Sequence, residues 1–209
     1  MTKHVSDVAF TSSVKEQQHK RGSRESYERM TAKRDWPKAV NENLQSFIAE
    51  RDSFYLATAS KTGQPYIQHR GEPKGFLRVL DEHTLAFADY AGNRQYISLG
   101  NLAENDQAHI FLMDYANRQR VKIWGRLTVV EGDAELLECV APAGYTGRAE
   151  RVFLFKISAW DVNCPKHIVA RYDEATVREV NEKLAVRVAK LEAENTRLKN
   201  ELSTAIERR

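Results

Sequence analysis

Between Ser53 and Val162 the chain falls into short runs rich in aromatic and β-branched residues, each closed by a turn signal. The runs are "FYLATAS", "PYIQHRG", "GFLRVL", "TLAFADY", "AHIFLMDY", "RVKIWGRLTVVEG" and "RVFLFKISAWDV". Between them stand "KTGQP", "LDEHT", "ANRQR" and "EGD", which carry Gly, Pro, Asn and Asp where the chain must reverse. This rhythm predicts an antiparallel barrel or sandwich. Helical stretches interrupt it only near residues 93–104 and 133–140, too few for an alternating parallel sheet. The expected fold class is therefore mainly β with helices.

The flanks differ from this centre. Residues 1–43 are polar and carry charges of both signs, as in "GSRESYERMTAKRDW", and read as a helical or irregular extension, not as core. At the junction, "LQSFIAERDSF" places Leu44, Phe47 and Ile48 on one helical face, suited to packing against the strands. The central domain is expected over residues 44–172. From Asp173 onward there is no Pro, Gly or aromatic residue.

In that tail Leu184, Leu191 and Leu198 recur every seven residues, and with the leucines at d, Val188, Asn195 and Leu202 occupy a. Residues 173–209 are expected to form a C-terminal coiled-coil helix. In a parallel homodimer Arg187 at g meets Glu192 at e of the other copy, and Glu194 meets Lys199. Asn195 in the seam favours two strands in register, whereas Asn181 weakens the N-terminal end. The alternative is a solvated helix lying across the barrel.

Charge and cysteine content exclude some functions. Lys and Arg number 32 against 29 Asp and Glu, and the signs alternate along the chain, so no nucleic-acid footprint is present. Two cysteines far apart, Cys139 and Cys164, and no long apolar run point to a cytoplasmic protein with free thiols and no membrane partner. Cys164 and His167 in "NCPKH" have a metal-ligand spacing, but a structural zinc site needs about four ligands. No metal is expected. Cys164 could be a redox-active thiol stabilised by Lys166 or His167, against the plainer reading of an inert buried thiol.

Three clusters could carry binding. In "AGNRQYISLGNL", Gly92 permits a tight turn, and Asn93, Arg94 and Gln95 add donors at the start of a helix whose N–H groups can face an anion. The competing reading is an ordinary strand-to-helix connection with a solvated Arg. In "QHRGEPKGFLRVL", Gln68, His69, Arg70 and Lys74 surround glycines that let a flat ligand approach the backbone. His69 could be a proton donor there or be hydrogen-bonded within the loop. In "NRQRVKIWGRL", Arg120, Lys122 and Trp124 share one face of a strand. Together these suit an anionic aromatic cofactor.

The order "FYLATASKTGQPYIQHRG", "GFLRVLDEHTLAFADYAGNRQ", "NDQAHIFLMDY", "RVKIWGRLTVVEG" resembles the FMN-binding split β-barrel of the pyridoxamine 5′-phosphate oxidase family, over about residues 45–165. With "VAFTSSVKEQQHKRGSRESYERM" and "WDVNCPKHI" it is similar to a bacterial branch of flavin-nucleotide-binding relatives. The resemblance implies FMN as cofactor, with its phosphate at Asn93, Arg94 and Gln95. Lys74, Gly75, Phe76 and Leu77 would lie by the flavin ring on a strand "KGFLR", and Arg120 would stand where the family has a Gln reaching the ring. It also implies a homodimer with the flavin at the interface, and hydride transfer with oxygen or a nicotinamide coenzyme as redox partner. The sequence departs from the oxidase pattern in three places. "AWDVNCPKHIVARYD" lacks the spacing of the substrate-binding tail, Gln95 replaces a Lys, and the first Arg of the family's flavin strand falls near Pro73. These departures argue against vitamin B6 phosphate as substrate. A non-catalytic flavin-binding sensor or carrier, recruiting a partner through its coiled coil, is the alternative, and a haem or deazaflavin ligand a further one.

Overall fold

A computed structural model describes residues 4–162 and 165–208. It divides into two compact units, one ending at Ile168 and one beginning at Val169. The first contains seven strands: β1 (Ser53–Ala59), β2 (Pro65–Gly71), β3 (Arg78–Asp81), β4 (Thr84–Tyr90), β5 (Gln107–Asp114), β6 (Gln119–Val130) and β7 (Ala149–Val162). They form one antiparallel sheet in the order β2-β1-β5-β6-β7-β4-β3. The expected β-plus-α fold is present.

The sheet cannot lie flat. Its two edges, β2 and β3, are consecutive in sequence with only residues 72–77 between them. Six inter-strand spacings of about 4.8 Å make a flat sheet roughly 29 Å wide. The link from Gly71 to Arg78 reaches at most about 25 Å even fully extended. The sheet therefore curls until β2 approaches β4, and an ion pair from Arg70 to Asp89 at 2.5 Å records that closure.

Alternating side chains fill the interior, as period-two strands require. Phe54 and Leu56 on β1, Ile110 and Leu112 on β5, Val121 and Ile123 on β6 and Phe153 and Phe155 on β7 form one buried cluster with Leu44 and Ile48. Leu44 and Ile48 belong to α3 (Glu42–Ala49), whose start is capped by Asn41 accepting from the Leu44 N–H at 2.9 Å. A smaller outer cluster joins Ala86 and Ala88 of β4 to Val140 of α5 (Ala134–Val140).

Two expectations need correction. "GFLRVL" is not a strand throughout: β3 begins only at Arg78. Pro73 interrupts the extended run and Gly75 takes φ 80°, a left-handed turn, which drops Phe76 and Leu77 into the core as plugs behind β1. Phe76 stacks on Phe54 at 5.3 Å. The N-terminal extension, with α1 (Ser12–Lys20) and α2 (Arg24–Lys33), also contributes to packing. Trp36 is buried, stacked on Trp124 of β6 at 4.9 Å, with Phe10 tilted against it at 5.0 Å. A polar segment is thus pinned to the sheet by two aromatic residues.

The second unit is dominated by α6 (Glu174–Glu207), 34 residues with none buried. Asp173 caps it, accepting from the Thr176 N–H at 2.6 Å. No helix among the described residues is long and apolar enough to cross a membrane.

Candidate functional site

After β4 the chain turns sharply before α4 (Ile97–Glu104). Arg94 and Tyr96 both adopt left-handed backbone, φ 59° and 51°, which costs a non-glycine residue strain that the surrounding structure must hold. Asn93 helps: its side-chain carbonyl accepts the Gln95 N–H at 3.1 Å. The helix that follows is tied to β1 by Asn101 donating to Thr58 Oγ1 at 3.0 Å and Asn105 donating to the Ala59 carbonyl at 3.2 Å. No side chain caps its start, so its first N–H groups lack a side-chain acceptor.

This turn forms one wall of a cleft of about 200 Å³. Tyr66, Gln68 and Arg70 of β2, Asp89 and Tyr90 of β4, Ser98 of α4 and Arg151 of β7 line the rest. Asp89 is buried between two guanidinium groups, Arg70 at 2.5 Å and Arg151 at 2.6 Å. Arg151 also reaches Glu131 at 2.9 Å and Glu150 at 3.1 Å. Gln68 accepts from Arg70 at 3.0 Å and from the Ser98 hydroxyl at 3.2 Å. The inner cations are therefore neutralised, whereas Arg94 is exposed and without an ion-pair partner among the described residues. An incoming anion would meet Arg94 first.

Of the residues expected to bind, Arg70, Asn93, Arg94 and Gln95 meet in this cleft. Arg70 serves mainly as structure, since its headgroup is held by Asp89 and Gln68. His69 points to the opposite face of β2, against Tyr55 at 5.6 Å. Lys74 is exposed and pairs with Glu50 at 3.5 Å. Gly75 donates its N–H to the Arg51 carbonyl at 3.3 Å, and the side chains of Phe76 and Leu77 are core, so of these three residues only the backbone could meet a ligand. Arg120, Lys122 and Trp124 alternate with buried Val121 and Ile123, and so share the outward face of β6, away from the cleft. Lys122 lies over Trp124 at 5.1 Å and pairs with Asp161 at 3.1 Å. Cys164 lies outside the described residues; Cys139 is a free, exposed thiol.

Asp89, Arg151, Glu72 and Tyr90 were not anticipated. An acid inside the apolar run "TLAFADY" was the available signal, since a buried carboxylate demands a cation. Burial lifts the Glu72 carboxyl to about 7, with Arg70 opposing and nearby Asp89 adding to the rise. Burial likewise lifts the Tyr90 hydroxyl to about 12, reinforced by Glu72 and Tyr145.

A barrel of this topology, with a cation-bearing turn between β4 and α4, is of the split-barrel kind. The family model for pyridoxamine 5′-phosphate oxidase matches residues 40–164, and the chain belongs to that family. Among solved structures, HupZ of Group A Streptococcus is 16% identical, with a TM-score of 0.50 over 64% of this chain and 99% of that one. An FMN-binding protein from Syntrophomonas wolfei is 16% identical, with a TM-score of 0.48 over 70% and 97%. A putative pyridoxamine 5′-phosphate oxidase from Lactobacillus delbrueckii is 18% identical, with a TM-score of 0.47 over 60% and 95%. At such identities the likeness is one of fold. Comparison with curated proteins gave no match.

Proposed function

We propose that this protein binds FMN, with the phosphate held at the β4–α4 turn, and acts as a flavin-dependent oxidoreductase on a substrate other than vitamin B6 phosphate. The observation that carries the reading is the exposed, unpaired Arg94 beside Asn93, Gln95 and the uncapped start of α4, in a chain of this family. The cleft's size limits what it holds. At about 200 Å³ it is smaller than the roughly 300–1,000 Å³ of a typical ligand pocket, so it has room for the phosphate and adjoining chain but not for the ring system. The ring therefore lies outside it, on a surface shared with a second copy, near the backbone of Gly75 and the outward Arg120. Bound there, FMN supplies hydride transfer at its N5, with oxygen or a nicotinamide coenzyme as the other partner.

The same homodimer is served by α6. Val177, Leu184, Val188, Leu191, Leu198 and Leu202 are all exposed along one stripe, and two copies in parallel bury that stripe with Arg187–Glu192 and Glu194–Lys199 pairs across it. The compartment is the cytoplasm.

The first test is absorbance of the purified protein and identification of the released chromophore. FMN is expected, and Arg94→Ala should weaken its binding about tenfold or more while leaving the barrel folded. A colourless protein that also fails to take up added FMN refutes the cofactor. For the tail, Leu191→Cys should form a disulfide between the two copies of residue 191, since d positions of a parallel pair meet within disulfide reach. A dimer that forms no such link overturns the parallel register.

A further inference from the structure

A second hollow opens toward the other end of β7 and shares no lining residue with the cleft at the β4–α4 turn. Trp160 lines it, nine residues beyond Arg151 of the cleft, a strand path of about 30 Å. Its volume of about 460 Å³ falls within the roughly 300–1,000 Å³ that encloses a small organic ligand. One wall comes from the N-terminal extension, through Met30 of α2 and Trp36, and the other from the barrel, through Phe47 of α3, Val121 of β6 and Trp160. Trp160 fixes the two walls to each other, donating its backbone N–H to the Pro37 carbonyl at 3.0 Å and its indole N–H to the Ala39 carbonyl at 2.8 Å. The first wall precedes residue 40, where the family match begins, so it belongs to this chain's own extension.

The polar groups of the hollow narrow what it can hold. Both carboxylates that line it are committed: Asp35 accepts from the N–H groups of Val5 at 2.5 Å, Ser6 at 3.2 Å and Trp36 at 2.8 Å, and Asp161 pairs with Lys122 at 3.1 Å. The third charged group, Arg34, is exposed and its guanidinium has no partner among the described residues. The side-chain amides of Asn43 and Gln119 have none either, and Asn41 uses only its carbonyl, accepting from the Leu44 N–H at 2.9 Å. What faces the hollow is therefore one free cation and three amides able to donate, with no free carboxylate to receive a cation. These groups are exposed at the mouth, whereas Trp36 and Trp160 are buried and Phe47 is half-buried. An occupant must match both halves: a single negative charge in a planar group for Arg34, and an apolar ring for the three aromatic walls.

We propose that this hollow is a binding site for a small aromatic carboxylate, its ring among Trp36, Phe47 and Trp160 and its carboxylate on Arg34 at the mouth. The site is independent of the FMN reading, since neither uses a residue of the other. It holds its ligand without reacting with it: both acids that line it are already engaged, and no cysteine, serine or histidine lines it. Because the two walls come from the extension and from the barrel, an occupant bridges them. Binding therefore fastens α2 to the sheet and stabilises the folded chain by mass action.

The test is equilibrium dialysis of the full chain with 2-naphthoate and with 2-naphthamide, its uncharged counterpart of the same shape, using decanoate and FMN as competitors. Wild type should bind 2-naphthoate about tenfold more tightly than the amide, and decanoate should compete only weakly. Arg34→Gln should remove the preference for the carboxylate, and Met30→Ala should weaken both ligands alike. Both positions are exposed, so both variants should keep the wild-type Tm. Saturating 2-naphthoate should slow proteolysis of the N-terminal extension several-fold. No binding of 2-naphthoate up to millimolar concentration overturns the site, as does a preference that survives Arg34→Gln. Tighter binding of decanoate replaces the aromatic ligand with an acyl chain and overturns the proposal in that form. Displacement of 2-naphthoate by FMN, or binding that leaves cleavage of the extension unchanged, puts the ligand in another site and overturns it too.

Discussion

Replacing Asp89 by Asn should weaken the barrel and strengthen anion binding in its cleft at once. Asp89 is 8% exposed and holds two guanidinium groups, Arg70 at 2.5 Å and Arg151 at 2.6 Å. Breaking a buried ion pair by removing one partner costs about 3–5 kcal/mol, because the other charge remains buried. Partial compensation is available: Arg151 keeps Glu131 and Glu150, Arg70 keeps Gln68, and the Asn carbonyl still accepts one bond. The lower end, about 3 kcal/mol, is therefore expected, and in a domain of this size it lowers Tm by about 6–12 °C. Tryptophan fluorescence is the appropriate readout, since Trp36, Trp124 and Trp160 all lie in the barrel unit and none in α6. With the carboxylate gone, Arg70 and Arg151 add uncompensated charge beside Arg94, and FMN or inorganic phosphate should bind several-fold more tightly. A loss of less than about 1 kcal/mol, the worth of an exposed pair, would show that the cluster is solvated and refute the argument. Weaker anion binding would refute the second half.

Three further outcomes are expected. Gly125→Ala should fail to give a stable barrel by urea denaturation, because a Cβ there would lie 2.3 Å from the Lys156 carbonyl and from the Phe155 ring, both fixed in the sheet. Trp36→Ala removes the stack on Trp124 and should cost about 3 kcal/mol, with faster proteolysis confined to the N-terminal extension; uniform cleavage would contradict the pinning role. His109 is pushed down to about 4 by burial and, secondarily, by Lys122. Its folded value lies below its unfolded one of about 6.5, so its contribution is fully present above 6.5 and drains away as the pH falls toward 4, by up to about 3 kcal/mol. Urea midpoints at pH 7 and pH 4.5 should differ less in His109→Phe than in wild type.

Local signals made much of this molecule readable. Alternation in "AHIFLMDY" and "FYLATAS" marks β5 and β1 because their burial follows the pleat. The Asn93–Gln95 turn was visible because a turn is made by neighbouring residues. What stayed hidden depends on long-range register. "GFLRVL" has strand composition, yet the closure of the sheet forces its first half into a plug. Asp89 and Arg151 are separated by sixty-two positions and meet only through the β4–β7 pairing. Glu72 in "RGEPKG" reads as a solvated turn acid, and only the seam that folds over it makes it otherwise.

The covalent link across that seam makes the barrel a clasp. Between β2 and β3 no ladder of backbone bonds joins the two margins, so tension applied to open the sheet runs through residues 72–77, the plugs Phe76 and Leu77, and the Arg70–Asp89 tie. A single peptide cut in this stretch would leave only the plugs and the Arg70–Asp89 tie to hold the margins. The same cut at the exposed tip near residues 61–63 would sever only a hairpin whose strands remain zipped.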